Sequence, residues 1–100
     1  MKQSFDERCY DKLRKVPKGK LTTYKDLAHT IKSQAYRAVG TAMNKNPYAP
    51  QVPCHRVIKS DGFVGGFAHG TSKKIAMLKK EGIEIKNGKV VSMQRYLYRF

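Results

Sequence analysis

The chain has 100 residues, including 21 lysines and arginines against 7 aspartates and glutamates, and so carries a formal net charge of +14. This length fits one small domain and requires no second one. The positive charge is spread over the chain, which favours a polyanionic partner such as nucleic acid over a merely solvated lysine-rich surface.

The chain has two cysteines, Cys9 and Cys54, which are too few for a disulfide framework. It has no apolar run of about 18 residues and no apolar segment after Met1 and Lys2, which argues against a membrane span and a signal peptide. We therefore expect a soluble protein of a reducing intracellular compartment, either the nucleoid-containing cytoplasm or the nucleus, with no membrane partner.

A first amphipathic helix is predicted over residues 3–16, because apolar side chains recur there at spacings of three and four. Pro17 would end it. Cys9 falls on the apolar stripe of this helix, so a structural role in the core is favoured over a catalytic one.

Two further helices are predicted to follow. Thr23, with Asp26 three residues later, resembles a capping box, so a short helix should run over about residues 24–31. Ser33 is expected to cap a third helix, on which Arg37 lies on the polar outer face. Two short helices joined by a tight turn favour a helix-turn-helix, although the pattern leaves an ordinary helical hairpin open.

The second half of the chain begins with a loop and the cysteine segment. A glycine-rich loop follows over residues 63–70, and it lacks the phosphate-binding pattern of nucleotide sites. Thr71 and Ser72 are expected to cap a helix that Gly82 ends. The dipeptide Asn87-Gly88 predicts a β-hairpin. The tail is left open between a strand, a helix and a disordered basic end, and the predicted fold is mainly α with a small β-hairpin.

Cys54, His55 and Arg56 place a thiol, an imidazole and a guanidinium on consecutive residues. Pro53 favours an extended approach to the cysteine. A cysteine nucleophile needs a positive or proton-accepting neighbour, which His55 and Arg56 could supply. The alternative is a buried apolar cysteine, because consecutive side chains of an extended segment point to opposite faces. A metal site is disfavoured, since the other cysteine and histidines lack ligand spacing.

Six motifs occur in order: Thr23-Tyr24, Arg37-Ala-Val-Gly40, Asn46-Pro47, Pro53-Cys-His-Arg-Val57, Gly65-Gly-Phe67 and Glu81-Gly82. The series resembles the active-site domain of the O6-alkylguanine-DNA alkyltransferases, over about residues 5–91. The resemblance implies one winged helix-turn-helix domain. Most members carry an additional N-terminal domain, and this departure leaves open a truncated protein, a minimal natural form or a piece of a fusion. It also implies repair of duplex DNA by a monomer that moves an alkyl group irreversibly from guanine O6 to its own cysteine, without cofactor or metal.

The resemblance assigns roles to five catalytic residues. Cys54 would be the nucleophile, His55 would activate it through a water molecule, and Glu81 would orient the histidine. Tyr24 would donate a proton to N3 of the leaving guanine. Asn46 would brace the turn beneath the site.

The resemblance also assigns a DNA surface and a lesion pocket. Arg37 would fill the space left when the damaged nucleotide flips out, with the third helix in the minor groove. The other expected DNA-binding residues are Ala38, Gly40, Thr41, Tyr24, Arg56 and Lys45. The expected pocket residues are Met43, Val57, Phe67 and Ala68, with Phe67 where a tyrosine is frequent.

Three other functions compete with transfer. An alkyltransferase-like protein would bind the lesion without transferring anything, but such proteins carry tryptophan or alanine in place of Cys54. A plain winged-helix DNA binder would explain the charge and leave the cysteine segment unexplained. A Cys-His hydrolase is disfavoured because no oxyanion hole is apparent in the sequence.

Overall fold

A computed structural model describes residues 3–49, 51–67 and 69–100. The helices are α1 (Phe5–Leu13), α2 (Tyr24–Thr30), α3 (Tyr36–Lys45) and α4 (Thr71–Lys80), and 3-10 turns lie at Cys54–Arg56 and Met93–Arg95. The strands are β1 (Thr22–Thr23), β2 (Val57–Ile58), β3 (Ile85–Lys86) and β4 (Lys89–Val90). The prediction of a mainly α fold with a small β-hairpin is confirmed. Within the described part of the chain, no helix is long and apolar enough to cross a membrane.

Helix α1 is shorter than predicted. Its N-cap is Ser4, whose Oγ accepts the Glu7 N–H at 3.1 Å, so the helix begins at Phe5. After Leu13 the chain tightens into 3-10 bonds ahead of Pro17, and Val16 still reaches the core. Cys9 is fully buried, and burial raises the pKa of its thiol to about 11, as expected for a structural cysteine.

Helices α2 and α3 form the predicted helix pair. The Thr23 hydroxyl accepts the Asp26 N–H at 3.0 Å, which confirms the cap of α2. The prediction that Ser33 caps α3 is wrong, because α3 has no side-chain cap and the Ser33 hydroxyl instead accepts the Ala35 N–H at 3.0 Å within the turn. Tyr36 Oη lies 2.8 Å from His29 Nε2 and links the two helices.

A short parallel sheet, not predicted from the sequence, joins the two halves of the molecule. Strand β1 pairs with β2, with Thr22 opposite Val57 and Thr23 opposite Ile58. Tyr24 directly follows β1, and the cysteine turn directly precedes β2. In this parallel register Tyr24 and the cysteine turn therefore flank opposite ends of the strand pair.

The tail extends this sheet. The N–H of Leu21 donates to the Tyr96 carbonyl at 2.8 Å, and the N–H of Tyr98 donates to the Leu21 carbonyl at 2.7 Å. Leu97 consequently bridges Leu21 in parallel register. The question left open by the sequence is settled in favour of a 3-10 turn followed by a strand-like end.

The core has two clusters that meet at the parallel sheet. One lies among α1, α2 and α3 and includes Leu27, Cys54 and Val57. The other lies under α4 and the hairpin and includes Ile58 and Leu78. Because neighbouring strand residues point to opposite faces, Val57 and Ile58 enter different clusters. The cysteine turn thus lies at the boundary between the two core clusters.

Helix α4 and the β3–β4 hairpin complete the fold. The predicted cap at Thr71 and Ser72 is wrong, because α4 follows Gly70 with no side-chain cap and the Thr71 hydroxyl donates to the Gly65 carbonyl at 3.4 Å. Gly82 ends the helix with a φ of +91°, as predicted. Asn87 and Gly88, both with positive φ, form the predicted turn between β3 and β4.

Candidate active site

Cys54 lies in a tight turn and not in the extended segment that Pro53 was expected to produce. The N–H of Cys54 donates to the Val52 carbonyl and the N–H of Arg56 donates to the Pro53 carbonyl, both at 2.9 Å. The first bond closes a γ-turn at Pro53 and the second belongs to the 3-10 turn over Cys54–Arg56, so the argument that consecutive side chains must oppose each other does not apply here. Cys54 is 7% exposed.

Asn46 braces the loop that leads into this turn. Its Nδ2 donates to the Val52 carbonyl at 2.7 Å, and its Oδ1 accepts the Tyr48 N–H at 2.9 Å. One amide thus ties the start of the loop at Tyr48 to Val52, two residues before Cys54. This geometry matches the bracing role expected for Asn46.

Glu81 binds the two residues that follow Cys54. Its Oε2 lies 2.9 Å from His55 Nε2, while Arg56 donates through Nε to Oε1 at 2.9 Å and through Nη2 to Oε2 at 2.7 Å. Burial opposes ionisation of this carboxyl, but the hydrogen bonds from Arg56 and His55 lower its pKa to about 2. Glu81 is therefore ionised at neutral pH.

His55 is buried and neutral. Burial lowers the pKa of its imidazole, although the hydrogen bond to Glu81 acts in the opposite direction. Because the carboxylate of Glu81 accepts a hydrogen bond, Nε2 carries the ring proton and Nδ1 is left as an acceptor. The neutral ring can therefore accept a proton at Nδ1.

Arg56, which was expected to bind DNA, is hydrogen-bonded inside the protein. Besides its two bonds to Glu81, its Nη1 donates to the Val16 carbonyl at 2.9 Å. The guanidinium is largely buried. Its Nε, Nη1 and Nη2 atoms all donate to acceptors within the protein, and this holds the side chain inside. It supports Glu81 and ties the segment after α1 to the site.

Tyr24 stands at the start of α2 in a half-buried position. Burial, followed by the nearby charge of Cys54, raises the pKa of its phenol. The hydroxyl therefore keeps its proton at neutral pH and is available as a donor.

Lys74 is a buried residue of the site that sequence reasoning missed. Its ammonium donates to the Val57 carbonyl at 2.7 Å, the Gly66 carbonyl at 3.2 Å and the Tyr24 hydroxyl at 3.5 Å. It has no exposed surface, and burial lowers its pKa to about 8, partly opposed by Cys54. One signal could have found it, because Lys74 precedes the buried Leu78 by one helical turn.

A cavity of about 220 Å³ adjoins the cysteine and brings together three predicted residues, Cys54, His55 and Phe67. Its remaining lining residues are Ala49, His69, Lys73 and Met77. Met43 and Val57 are buried in the same core cluster as Cys54 and do not line this cavity, so their place in a lesion pocket stays a prediction. Ala68 lies outside the described residues.

The outer face of α3 carries the expected DNA-binding side chains. Arg37 and Thr41 are exposed, and the Thr41 hydroxyl donates to the Arg37 carbonyl at 3.1 Å. Lys45 is exposed and forms an ion pair with Asp6 at 2.9 Å. Ala38 and Gly40 are half-buried. Among described atoms, a Cβ added at Gly40 would meet nothing within 4 Å, so the helix has open space in front of it.

Comparison with known proteins places these residues in a family. A family model described as the DNA binding domain of 6-O-methylguanine DNA methyltransferase matches residues 4–83. The methylated-DNA--protein-cysteine methyltransferase of Methanosarcina barkeri is 47% identical over 78 residues, covering 77% of this chain and 49% of its own length. The chain spans about half the length of most of the curated relatives compared, and a third of one.

Solved structures give the same result. The O6-methylguanine-DNA methyltransferase of Pyrococcus kodakaraensis has a TM-score of 0.73 and 40% identity, covering 81% of this chain and 47% of its own. The Schizosaccharomyces pombe protein Atl1, solved with damaged DNA containing O6-carboxymethylguanine, has a TM-score of 0.83 and 29% identity, with 99% of both chains covered. With the family model covering most of its length, the chain belongs to the 6-O-methylguanine DNA methyltransferase DNA-binding-domain family.

Proposed function

We propose that the protein repairs O6-alkylguanine in duplex DNA by transferring the alkyl group to Cys54, once per molecule. The observation that carries this proposal is the hydrogen-bonded series from Arg56 through Glu81 to His55, which ends at a cavity lined by Cys54. A nucleophile, a base and a group that orients the base are the parts such a reaction needs.

The chemistry follows from the charge states of these groups. His55 accepts the thiol proton at Nδ1, directly or through a water molecule, and the thiolate attacks the alkyl carbon. The bond between Sγ and that carbon forms as the bond from the carbon to O6 breaks, and the electron pair passes to guanine. Tyr24 then gives its proton to N3, so guanine leaves as a neutral base.

Lys74 supports the proton transfer from Tyr24. A tyrosine that has given up its proton is a phenolate, which is costly to keep half-buried without a positive partner. The Lys74 ammonium stands 3.5 Å from that hydroxyl. Its charge therefore stabilises the state of Tyr24 that exists only as guanine leaves.

Recognition of DNA is assigned to the face of α3. Arg37 is exposed there and would occupy the stack after the nucleotide flips, while the bare backbone at Gly40 allows close approach to a minor groove. The net charge of +14 supports contact with the phosphates. The relatives solved with DNA, including Atl1, support the same partner.

A second candidate is binding of the lesion without transfer. It is favoured by one observation, the match to Atl1 over 99% of both chains. The presence of Cys54 with a complete hydrogen-bonded base argues for transfer, because a protein that only binds needs neither.

One experiment separates the two functions. The protein is incubated with a duplex containing O6-methylguanine, and the peptide spanning Cys54 is weighed. We expect the gain of one methyl group, lost in Cys54→Ser and retained in Cys9→Ser, which serves as the matched control. Retention of the lesion duplex with no added mass would establish the binding-only function.

A further inference from the structure

An exposed aromatic side chain that the proposed transfer does not use stands beside the β3–β4 hairpin. Phe63 is 44% exposed, the largest exposed fraction among the large apolar side chains of the described residues. The chain on both sides of it is bonded to the hairpin. The Val64 N–H donates to the Gly88 carbonyl at 3.0 Å, and the Val90 N–H donates to the Gly62 carbonyl at 2.9 Å. The ring is therefore displayed from a fixed backbone.

Phe63 lines a cavity of about 300 Å³. The other lining residues come from the hairpin and are Lys86, Asn87, Lys89, Val90 and Val91. An apolar wall with a few polar groups is typical of a site for a small flat ligand. A cavity of about 150 Å³ holds benzene, so the cavity at Phe63 is large enough for a purine base.

The rim of this cavity is cationic. The Lys89 ammonium lies over the Phe63 ring, 5.5 Å from its centroid. The stem of Lys89 packs against Gly62, where an added Cβ would meet Lys89 Cε at 3.2 Å. Among the described residues, no carboxylate lines the cavity or pairs with Lys86 or Lys89. The cavity therefore suits a ligand that combines a flat ring with negative charge, as a nucleotide does.

The loop that carries Phe63 begins beside a residue of the proposed active site. Strands β1 and β2 are parallel, so Tyr24 after β1 and Lys59 after β2 leave the sheet at the same end. A Cβ added at Gly65 would meet Lys59 Cγ at 3.3 Å and Tyr24 Cε2 at 3.7 Å, so both side chains lie against one glycine. DNA bound at Tyr24 is therefore close to this loop, and a strand that continues along the loop reaches Phe63.

We propose that this cavity binds an unpaired base of single-stranded DNA, stacked on Phe63. Lys86 and Lys89 contact the neighbouring phosphates, and the Asn87 amide supplies a donor and an acceptor for the edge of the base. A base inside a duplex has both faces covered by its neighbours, so it cannot stack here. The inference does not depend on transfer to Cys54, because the ligand carries no lesion.

A single-stranded segment fits this cavity better than an acidic stretch of protein does. Carboxylates would satisfy the lysines and leave the Phe63 ring without a partner. A nucleotide uses both, since every base has a flat face and every link of the strand carries a phosphate.

Phe63→Trp provides the probe for the test, because the chain has no tryptophan of its own. Its emission is measured as oligodeoxythymidylate, which has no lesion and no duplex, is added. We expect stacking of a base to quench this emission. The matched control is Phe100→Trp, at a position that is 43% exposed, and its emission should change little. A blunt duplex without a lesion should leave the emission of Phe63→Trp unchanged.

Affinity for the same oligonucleotide gives a second readout. Phe63→Ala should weaken it about tenfold, as expected for one base–aromatic stack, and Phe63→Tyr should retain it. Affinity for the blunt duplex should stay within about twofold in both variants. Lys89→Gln should lower the slope of log affinity against log salt by about 0.7, the value for one phosphate of a single strand. Lys79→Gln, an exposed position on α4, should leave the slope unchanged.

Three outcomes would overturn the inference. Equal quenching of both tryptophan variants would show that DNA coats the surface without a base site. Wild-type affinity of Phe63→Ala for the oligonucleotide, or an equal loss for oligonucleotide and duplex, would show that no unpaired base stacks on Phe63. Quenching of Phe63→Trp by poly-L-glutamate as strong as that by the oligonucleotide would assign the cavity to acidic protein segments instead.

Discussion

Glu81 Oε2 lies 2.9 Å from His55 Nε2, although 26 residues separate them in the chain. The turn at Cys54 fixes one partner and the end of α4 fixes the other. The same carboxylate accepts two hydrogen bonds from Arg56, so one side chain both orients the base and ties the end of α4 to the cysteine turn.

Substitution of Glu81 is expected to affect both stability and transfer. In Glu81→Gln the buried guanidinium of Arg56 loses its counter-charge, which should cost on the order of 3 kcal/mol of unfolding free energy. The methyl transfer rate should fall about tenfold or more, because His55 loses the acceptor that sets its tautomer. Urea unfolding and single-turnover kinetics measure the two effects, and a variant with wild-type values in both would contradict the role of Glu81.

The low pKa of Glu81 predicts a window of acid sensitivity. Its folded pKa of about 2 lies below the ordinary value of 4.5, so ionised Glu81 stabilises the fold above pH 4.5. That contribution is lost as the pH falls from 4.5 towards 2. The difference in stability between wild type and Glu81→Gln should therefore shrink across this window. A difference that stays constant with pH would show that the carboxylate is not paired as described.

Lys74 is expected to matter for the reaction more than for DNA binding. Lys74→Met removes the charge beside Tyr24 while keeping the length of the side chain, so transfer should slow about tenfold with duplex affinity within about twofold. The control is Lys80→Met, which is exposed on the same helix.

The pH dependence of the rate gives a second readout for Lys74. Because its pKa is lowered to about 8, the wild-type rate should lose the support of the ammonium above that pH. Lys74→Met should lack this component. A variant with the wild-type rate and pH profile would exclude the proposed support of Tyr24.

Arg37 is expected to matter only for duplex DNA, in which the damaged base must leave the base stack. Arg37→Ala should reduce transfer from duplex DNA about tenfold and leave transfer from a single-stranded oligonucleotide nearly unchanged, since flipping costs a few kcal/mol only in the duplex. Asn44→Ala, another exposed position on α3, is the control. Equal losses with both substrates would assign Arg37 to general phosphate binding.

Local sequence signals predicted the parts of the fold that depend on local interactions. The Thr23 cap and the Asn87-Gly88 turn each need only a few consecutive residues, and both are present. The β1–β2 pairing was missed, because two strands of two residues each have no periodicity and meet only through the tertiary fold.

The candidate site was predictable only in part. The resemblance assigned Cys54, His55 and Glu81 to one site. The structure shows a hydrogen bond between His55 and Glu81 and a cavity lined by Cys54 and His55, while the catalytic roles stay predictions. Arg56 was assigned to DNA because nothing in a sequence shows that a cation faces inward. Lys74 was overlooked for the same reason, since lysines are almost never fully buried without partners and its partners are backbone carbonyls from distant segments.

The most direct measurement of the central claim is the amount of guanine restored in a duplex containing O6-methylguanine as the protein concentration is varied. Transfer to Cys54 predicts that restored guanine equals the protein added, mole for mole, and does not increase with longer incubation. Restoration of many guanines per protein molecule, or of none while the duplex is bound, would contradict it.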